Sequence, residues 1–307
     1  MKTKLMMTLL VVVLSVAAAP LALEQLDNLR RVAEDWTRNS FLQGIVTVDA
    51  VEAEPSDSAV ALSGQSNSSS DEFRWSGRVA PGQTVEVRGI NGGLSAEPSG
   101  GNEVEVTAVK SARRSDTREV EIRVVEHAGG VLICALYPSA EPTSSQRCMP
   151  DEGDNVNIKN NDVTVEFKVR VPRGVNFRGR TVNGNIETGA LGGDVEVKTV
   201  NGSINVTAAG VASAKTVNGS ITARLGRADW NAELDFKTVN GAITLDLPAD
   251  LNAEVTAKTQ NGEITTDFPM TLLGRISCRQ LNGTIGSGGR SLSLKTVNGS
   301  IQLRRAS

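Results

Sequence analysis

The chain has 307 residues, of which 39% are apolar and only 3% aromatic, with one histidine, His127, and three cysteines, Cys134, Cys148 and Cys278. That inventory excludes His-rich zinc sites, aromatic sugar-stacking platforms and a haem pocket, and it leaves any His-dependent triad resting on one residue. Thirty-two basic against 35 acidic residues give a net charge of −3, so nothing in the overall balance points to nucleic acid as a partner.

Residues 1–18 read as a signal peptide. Lys2 and Lys4 precede an apolar run from Leu5 to Val16, shorter than the ~20 residues a spanning helix needs, and Ala17, Ala18 and Ala19 supply small residues for cleavage. Cleavage after Ala18 is expected, because cleavage after Ala19 leaves Pro20 at the new terminus; retention as an uncleaved anchor is the alternative. No later apolar run approaches spanning length. The mature chain is expected without a transmembrane segment, in the periplasm, outside the cell or at its surface.

Residues 19–72 read as a leader and linker. Leu26, Leu29, Val32, Ala33 and Trp36 recur three to four apart within 24–42, the spacing of a short amphipathic helix. A serine-rich polar tract over 55–72 follows, with linker composition. Over 73–175 the period becomes two, as in Val104-Glu-Val106, Val120-Glu-Ile122-Arg-Val124 and Val163-Thr-Val165-Glu-Phe167, which predicts β-strands with polar outer faces.

Residues 176–307 are a repeat. Asn-Gly pairs begin at Asn183, Asn201, Asn218, Asn240, Asn261, Asn282 and Asn298, and around each the string basic-Thr-Val-Asn-Gly-x-Ile recurs with few departures. Arg180 and Arg279 replace lysine, Gln280 replaces threonine, and Gln260 and Leu281 replace valine. A period of 16–22 residues fits one coil of a β-solenoid and is too short for a propeller blade or a helical pair. Asn-Gly between apolar runs is also a hairpin signal. A two-residue hairpin, however, puts Val200 and Ile204 on opposite faces and exposes one of them in nearly every repeat, whereas a single bend lets both point inward. The predicted fold is therefore all-β, a β-solenoid of about seven Asn-Gly coils preceded by further strands, with a short N-terminal helix. Stacked coils repeat every ~4.8 Å, so the seven asparagines are expected to form a hydrogen-bonded amide ladder, with each glycine taking the positive φ of the bend.

The repeated Thr-Val-Asn-Gly-x-Ile strings, with the segment Val-Leu-Ile-Cys-Ala-Leu-Tyr-Pro at 131–138, resemble the bacterial putative-adhesin family of exported solenoid domains of unknown function. The resemblance covers roughly 74–303. It implies the fold and no catalytic or binding residue.

Cys134 and Cys148 are expected to form a disulfide in an oxidising compartment, with Cys278 as a buried free thiol at an inward repeat position. Arg180, Lys198, Lys215, Lys237, Lys258, Arg279 and Lys295 share one repeat position and are expected to stack into a basic stripe that could meet an anionic polymer; the competing reading is a solubilising face that discourages edge pairing. Asp151, Glu152, Asp154 and Asp162 form an acidic turn without calcium-loop spacing, and His127 sits in a turn with no nucleophile motif near it. No metal or cofactor is expected. The function expected is a non-enzymatic cell-envelope module, adhesin-like or scaffolding, whose partner is an envelope polymer, a glycan or another protein. The alternative is a carbohydrate-active β-helix enzyme of lyase or hydrolase type, for which Glu196, Glu233, Asp235 and Glu254 are the acids to consider.

Overall fold

The computed structural model describes residues 69–138, 148–150, 161–227, 230, 232–272 and 277–306. The signal segment, the 24–42 helix, most of the serine-rich linker and the acids Asp151, Glu152 and Asp154 lie outside the described residues.

Two sheets face each other across an apolar interior, and the chain alternates between them. Each coil contributes one short strand to each sheet, joined at an Asn-Gly corner. In chain order the coils are β2 (Thr84–Arg88) with β3 (Leu94–Pro98), β8 (Asn176–Arg180) with β9 (Ile186–Leu191), β10 (Val195–Lys198) with β11 (Ile204–Ala208), and β12 (Ala212–Lys215) with β13 (Ile221–Leu225). They continue as β14 (Leu234–Lys237) with β15 (Ile243–Leu247), β16 (Ala253–Lys258) with β17 (Ile264–Thr266), and β20 (Ser291–Lys295) with β21 (Ile301–Arg305). Neighbouring coils pair in parallel and in register, Ile204 with Ile186 and Ile221, and Lys198 with Arg180 and Lys215. The expected solenoid is borne out, and hairpins at these corners are not formed. The last coil in sequence, however, is not last in space: β20 and β21 lie between the β14–β15 and β16–β17 coils.

At the first-coil end the sheets extend by ordinary strands. β1 (Ser69–Gly77), β4 (Val104–Ala112) and β7 (Thr164–Val171) continue the sheet of β3, while β6 (Gly130–Leu136) and β5 (Glu121–His127) continue the sheet of β2. Beyond β16 the second sheet continues through two antiparallel strands, β19 (Gln280–Ile285) and β18 (Met270–Leu272).

Alternation along most of the coil strands fills the interior: Val195, Val197, Ile204 and Val206 are buried while Glu196 and Lys198 face out. Large and small residues compensate between stacked coils, with Ala212 and Ala214 beside Leu234 and Phe236. The corner itself corrects the expected register. Thr199, not Val200, turns inward with Ile204, and the equivalent Thr181, Thr216, Thr238, Thr259 and Thr296 are all buried. The reason is polar. Each threonine hydroxyl donates to the glycine carbonyl of the preceding coil, Thr199 to Gly184 at 2.9 Å and Thr216 to Gly202 at 2.9 Å, so a group that must find a partner inside finds it at the corner.

The corner glycines are also explained differently from the expectation. Only Gly92 and Gly299 have φ in the positive range, at 121° and 157°. A Cβ on Gly184, Gly202, Gly219, Gly241, Gly262 or Gly299 would lie 2.0 Å from the carbonyl oxygen of the glycine stacked below. Close approach of backbones selects glycine here, whichever way φ points.

Candidate functional site

The outward residues of the β2–β8–β10–β12–β14–β20–β16 sheet form two rows beside the corner. Parallel pairing in register brings Arg88, Arg180, Lys198, Lys215, Lys237, Lys295 and Lys258 side by side in that order. Two residues back along each strand run Glu86, Arg178, Glu196, Ser213, Asp235, Ser293 and Thr256. Six of the seven cations expected in the stripe lie here, joined by Arg88, whose corner, Arg88-Gly-Ile-Asn-Gly-Gly-Leu94, is a diverged copy not recognised in the sequence. Arg279 is not in the row. Its copy is carried into the straight antiparallel strand β19, and Arg279 sits exposed in the turn before it.

The same departure corrects two further expectations. The amide ladder runs Asn91, Asn183, Asn201, Asn218, Asn240, Asn298, Asn261, each Nδ2 from Asn183 onward donating to the Oδ1 of the asparagine before it at 2.7–2.8 Å. Asn282 is not a rung; it lies in β19 opposite Thr256, with its buried Oδ1 unbonded. Cys278 is exposed, not buried, because the turn preceding β19 takes it out of the repeat. Gln280 was the readable signal: of the seven copies, only this one lacks the threonine whose hydroxyl fastens the corner. Asn91 lacks it too, but the chain against that first corner is β7, with no Asn-Gly carbonyl to bind.

The cations are paired. Glu86 receives Arg88, Arg178 and Arg180; Glu196 receives Arg178 at 3.0 Å and Lys198; Asp235 Oδ2 sits between Lys215 at 3.1 Å and Lys237 at 3.0 Å. Stacking every 4.8 Å leaves the lysine side chains only 16–19% exposed at Lys198, Lys215 and Lys237. Burial lowers the Lys198 pKa, opposed by Glu196 and reinforced by the neighbouring Arg180 and Lys215. Burial alone would raise Glu196, but the bond and charge of Lys198, with Arg178 and Arg180 beside it, hold its carboxyl below the ordinary range. Asp235 Oδ1 is buried without a partner. At the far end Lys258 is exposed, and among the described residues no carboxylate forms an ion pair with it.

The near end is covered. Cys134 and Cys148 are bonded, with Cα atoms 5.9 Å apart, on the outer face of β6, where Leu132, Val125 and Leu136 pack around them. This bond holds Met149 against the stripe, and Arg88 Nη1 donates to its carbonyl at 3.1 Å, so Arg88 and Glu86 are almost fully buried. The acids considered for catalysis do not converge: Glu196 and Asp235 lie two strands apart, each engaged with its own cations, and Glu233 and Glu254 are exposed. His127 accepts a bond from the amide of Gly129 within its turn, at 3.2 Å. Among the described residues no group of three His, Cys, Asp or Glu side chains is placed to hold a metal ion, and no helix is long and apolar enough to cross a membrane.

Residues 153–304 match the model of the family described as Toastrack DUF4097. The match takes in all seven sequence-predicted corners, and the resemblance to adhesin-like solenoid domains is borne out at that level. Three solved structures match the chain, each with a TM-score below 0.5. A putative cell adhesion protein from Clostridium sporogenes ATCC 15579 is 11% identical over 76% of this chain and 100% of its own, with a TM-score of 0.40. A putative adhesin from Bacteroides fragilis NCTC 9343 is 10% identical over 76% and 97%, TM-score 0.30. A putative adhesin from Parabacteroides merdae ATCC 43184 is 9% identical over 80% and 98%, TM-score 0.22. No curated protein matches the chain.

Proposed function

We propose that this chain is a non-enzymatic, adhesin-like binding or scaffold module of the cell envelope, exported by residues 1–18 and carried on a leader and linker that end where β1 begins at Ser69. Its ligand on this reading is an anionic envelope polymer, held along the outer face of the lysine-bearing sheet. The single observation that carries the reading is the register. Seven cations stand abreast in one row, Arg178 adds an eighth in the next, and only Glu86, Glu196 and Asp235 oppose them in those two rows. The surplus is greatest at Lys258, away from the covered Arg88 end. A regular spacing of ~4.8 Å suits a repeating polyanion better than a small ligand.

The test is binding of a defined polyphosphate, followed by fluorescence anisotropy at low and high salt. Wild type should bind, and binding should weaken as salt rises. Replacing Lys198, Lys215, Lys237 and Lys258 with glutamine should abolish it. Glu196→Gln and Asp235→Asn are included in the same variant, so that no half-buried carboxylate loses its partner. Binding that survives these replacements and ignores salt removes the stripe as the site.

A further inference from the structure

The leading edge of the first-coil end is β1. Past the first coil, its sheet adds three strands, β7, β4 and β1, whereas the facing sheet adds only two, β6 and β5. β1 thus stands one strand further out than the facing sheet, with the short helical turn Thr117–Glu119 against it. Its inward residues Phe73 and Trp75 are consequently only part-buried, although their row-mates Val106 and Ala108 on β4 are fully buried. All nine residues of β1 pair continuously with β4, without a bulge or a proline, and its other edge has no strand partner among the described residues. Its inward charge, Asp71, is neutralised by Lys110 at 2.7 Å, and a long regular edge without a bulge or a proline is a template for another strand.

We infer that β1 is the surface through which two copies of this chain associate, antiparallel and centred on Phe73. The sequence Ser-Ser-Asp-Glu-Phe-Arg-Trp-Ser-Gly selects both the occupant and the register. Phe73 is the midpoint of Ser69–Gly77, so pairing Phe73 with Phe73 of the second copy uses the strand's full length. In that register Glu72 faces Arg74 of the second copy, and Arg74 faces its Glu72, on the outer surface where both side chains are exposed. A shift of two residues sets Arg74 against Arg74 or Glu72 against Glu72, and a shift of one turns the Phe73 face outward. Within one copy Arg74 and Glu72 already bond to each other at 2.9 Å, so the exchange keeps every charge paired. The contact is isologous and closes on itself, giving a dimer and not a filament. Because β1 leads, the shorter facing sheets of the two copies do not meet before the β1 strands do.

The association can be read by sedimentation velocity over a concentration series of the full chain. Wild type should show a monomer–dimer equilibrium. Arg74→Glu should weaken it by about tenfold or more, since each edge then opposes like charges, and Glu72→Arg combined with Arg74→Glu should restore it. Both positions are exposed, and unchanged circular dichroism melting verifies the fold of each variant. In a Cys278→Ser background, oxidation should cross-link Phe73→Cys efficiently, and Glu72→Cys or Arg74→Cys poorly, because only residue 73 faces its own copy. A wild type that stays monomeric at all concentrations, a charge swap without rescue, or cross-linking that does not favour position 73 overturns the inference.

Discussion

Thr216→Val is the sharpest test of how the corners hold. The substitution keeps shape and β-branching and removes one hydroxyl. Thr216 is completely buried, and its Oγ1 donates to Gly202 O at 2.9 Å. That carbonyl has no other donor among the described residues. Gly219 is stacked on it so closely that a Cβ there would lie 2.0 Å away, which leaves little room for water to replace the hydroxyl. Leaving a buried acceptor unsatisfied costs about 1–3 kcal/mol, and the extra buried methyl returns at most ~0.8 kcal/mol. The net loss should reach about 2 kcal/mol, a fall in Tm of up to roughly 4–8 °C for a domain of this size. Thr216→Ser, which keeps the donor and loses a methyl, should cost about 1 kcal/mol for a different reason. Thermal and urea unfolding of the three proteins reads the order directly. A valine variant as stable as wild type would refute the argument, and would mean that threonine is chosen at the corner for shape alone.

Other consequences can be measured on the same footing. Ile243→Asp should cost several kcal/mol by placing a carboxylate in the stacked core, whereas Ala242→Asp, one residue away on the outer side, should melt within a degree or two of wild type. Gly219→Ala should be severely destabilising because its Cβ meets backbone, while Gly226→Ala, whose nearest neighbour atom would be 3.8 Å away, should fold normally in the same assay. Removing the Cys134–Cys148 bond with serines should cost ~3 kcal/mol in urea unfolding and should expose Arg88, making the stripe end accessible to proteolysis. Glu196 has a folded pKa below its ordinary 4.5, so its contribution is complete above that value and is lost as pH falls through the folded value. Glu196→Gln should accordingly flatten the fall in Tm between about pH 5 and pH 3, and an unchanged slope would show that its pairing adds nothing.

Period-two alternation and the recurrent Asn-Gly strings made the solenoid legible, because in-register stacking turns a sequence repeat directly into rows. The rows themselves were readable for the same reason: Lys198, Lys215 and Lys237 stand together since their strings align. What the strings hid was dependence on the neighbouring coil. The inward turn of Thr199 over Val200 is set by a carbonyl 15 residues earlier, which parity along one strand does not reveal. Asn91 escaped notice because Gly89 and Leu94 replace the usual threonine and isoleucine, and Asn282 looked equivalent although Gln280 denies it a corner. Ion pairing across strands, Asp235 with Lys215 from the coil before, was likewise invisible, since the partners are 20 residues apart and meet only once the register is known.

The placement of β20 and β21 makes the order of synthesis differ from the order of stacking. The coil formed by β16 and β17 rests on strands that come after it, so while residues 291–305 are still unmade it has no parallel neighbour to receive its backbone hydrogen bonds. Assembly from the first coil can propagate rung by rung as far as β15 and must then wait for β20 and β21. A truncation near residue 290 would therefore not shorten the stack at its tip. It would take out an interior rung and leave the final coil facing β14 and β15 across a gap, a defect more like a missing stair than a frayed end.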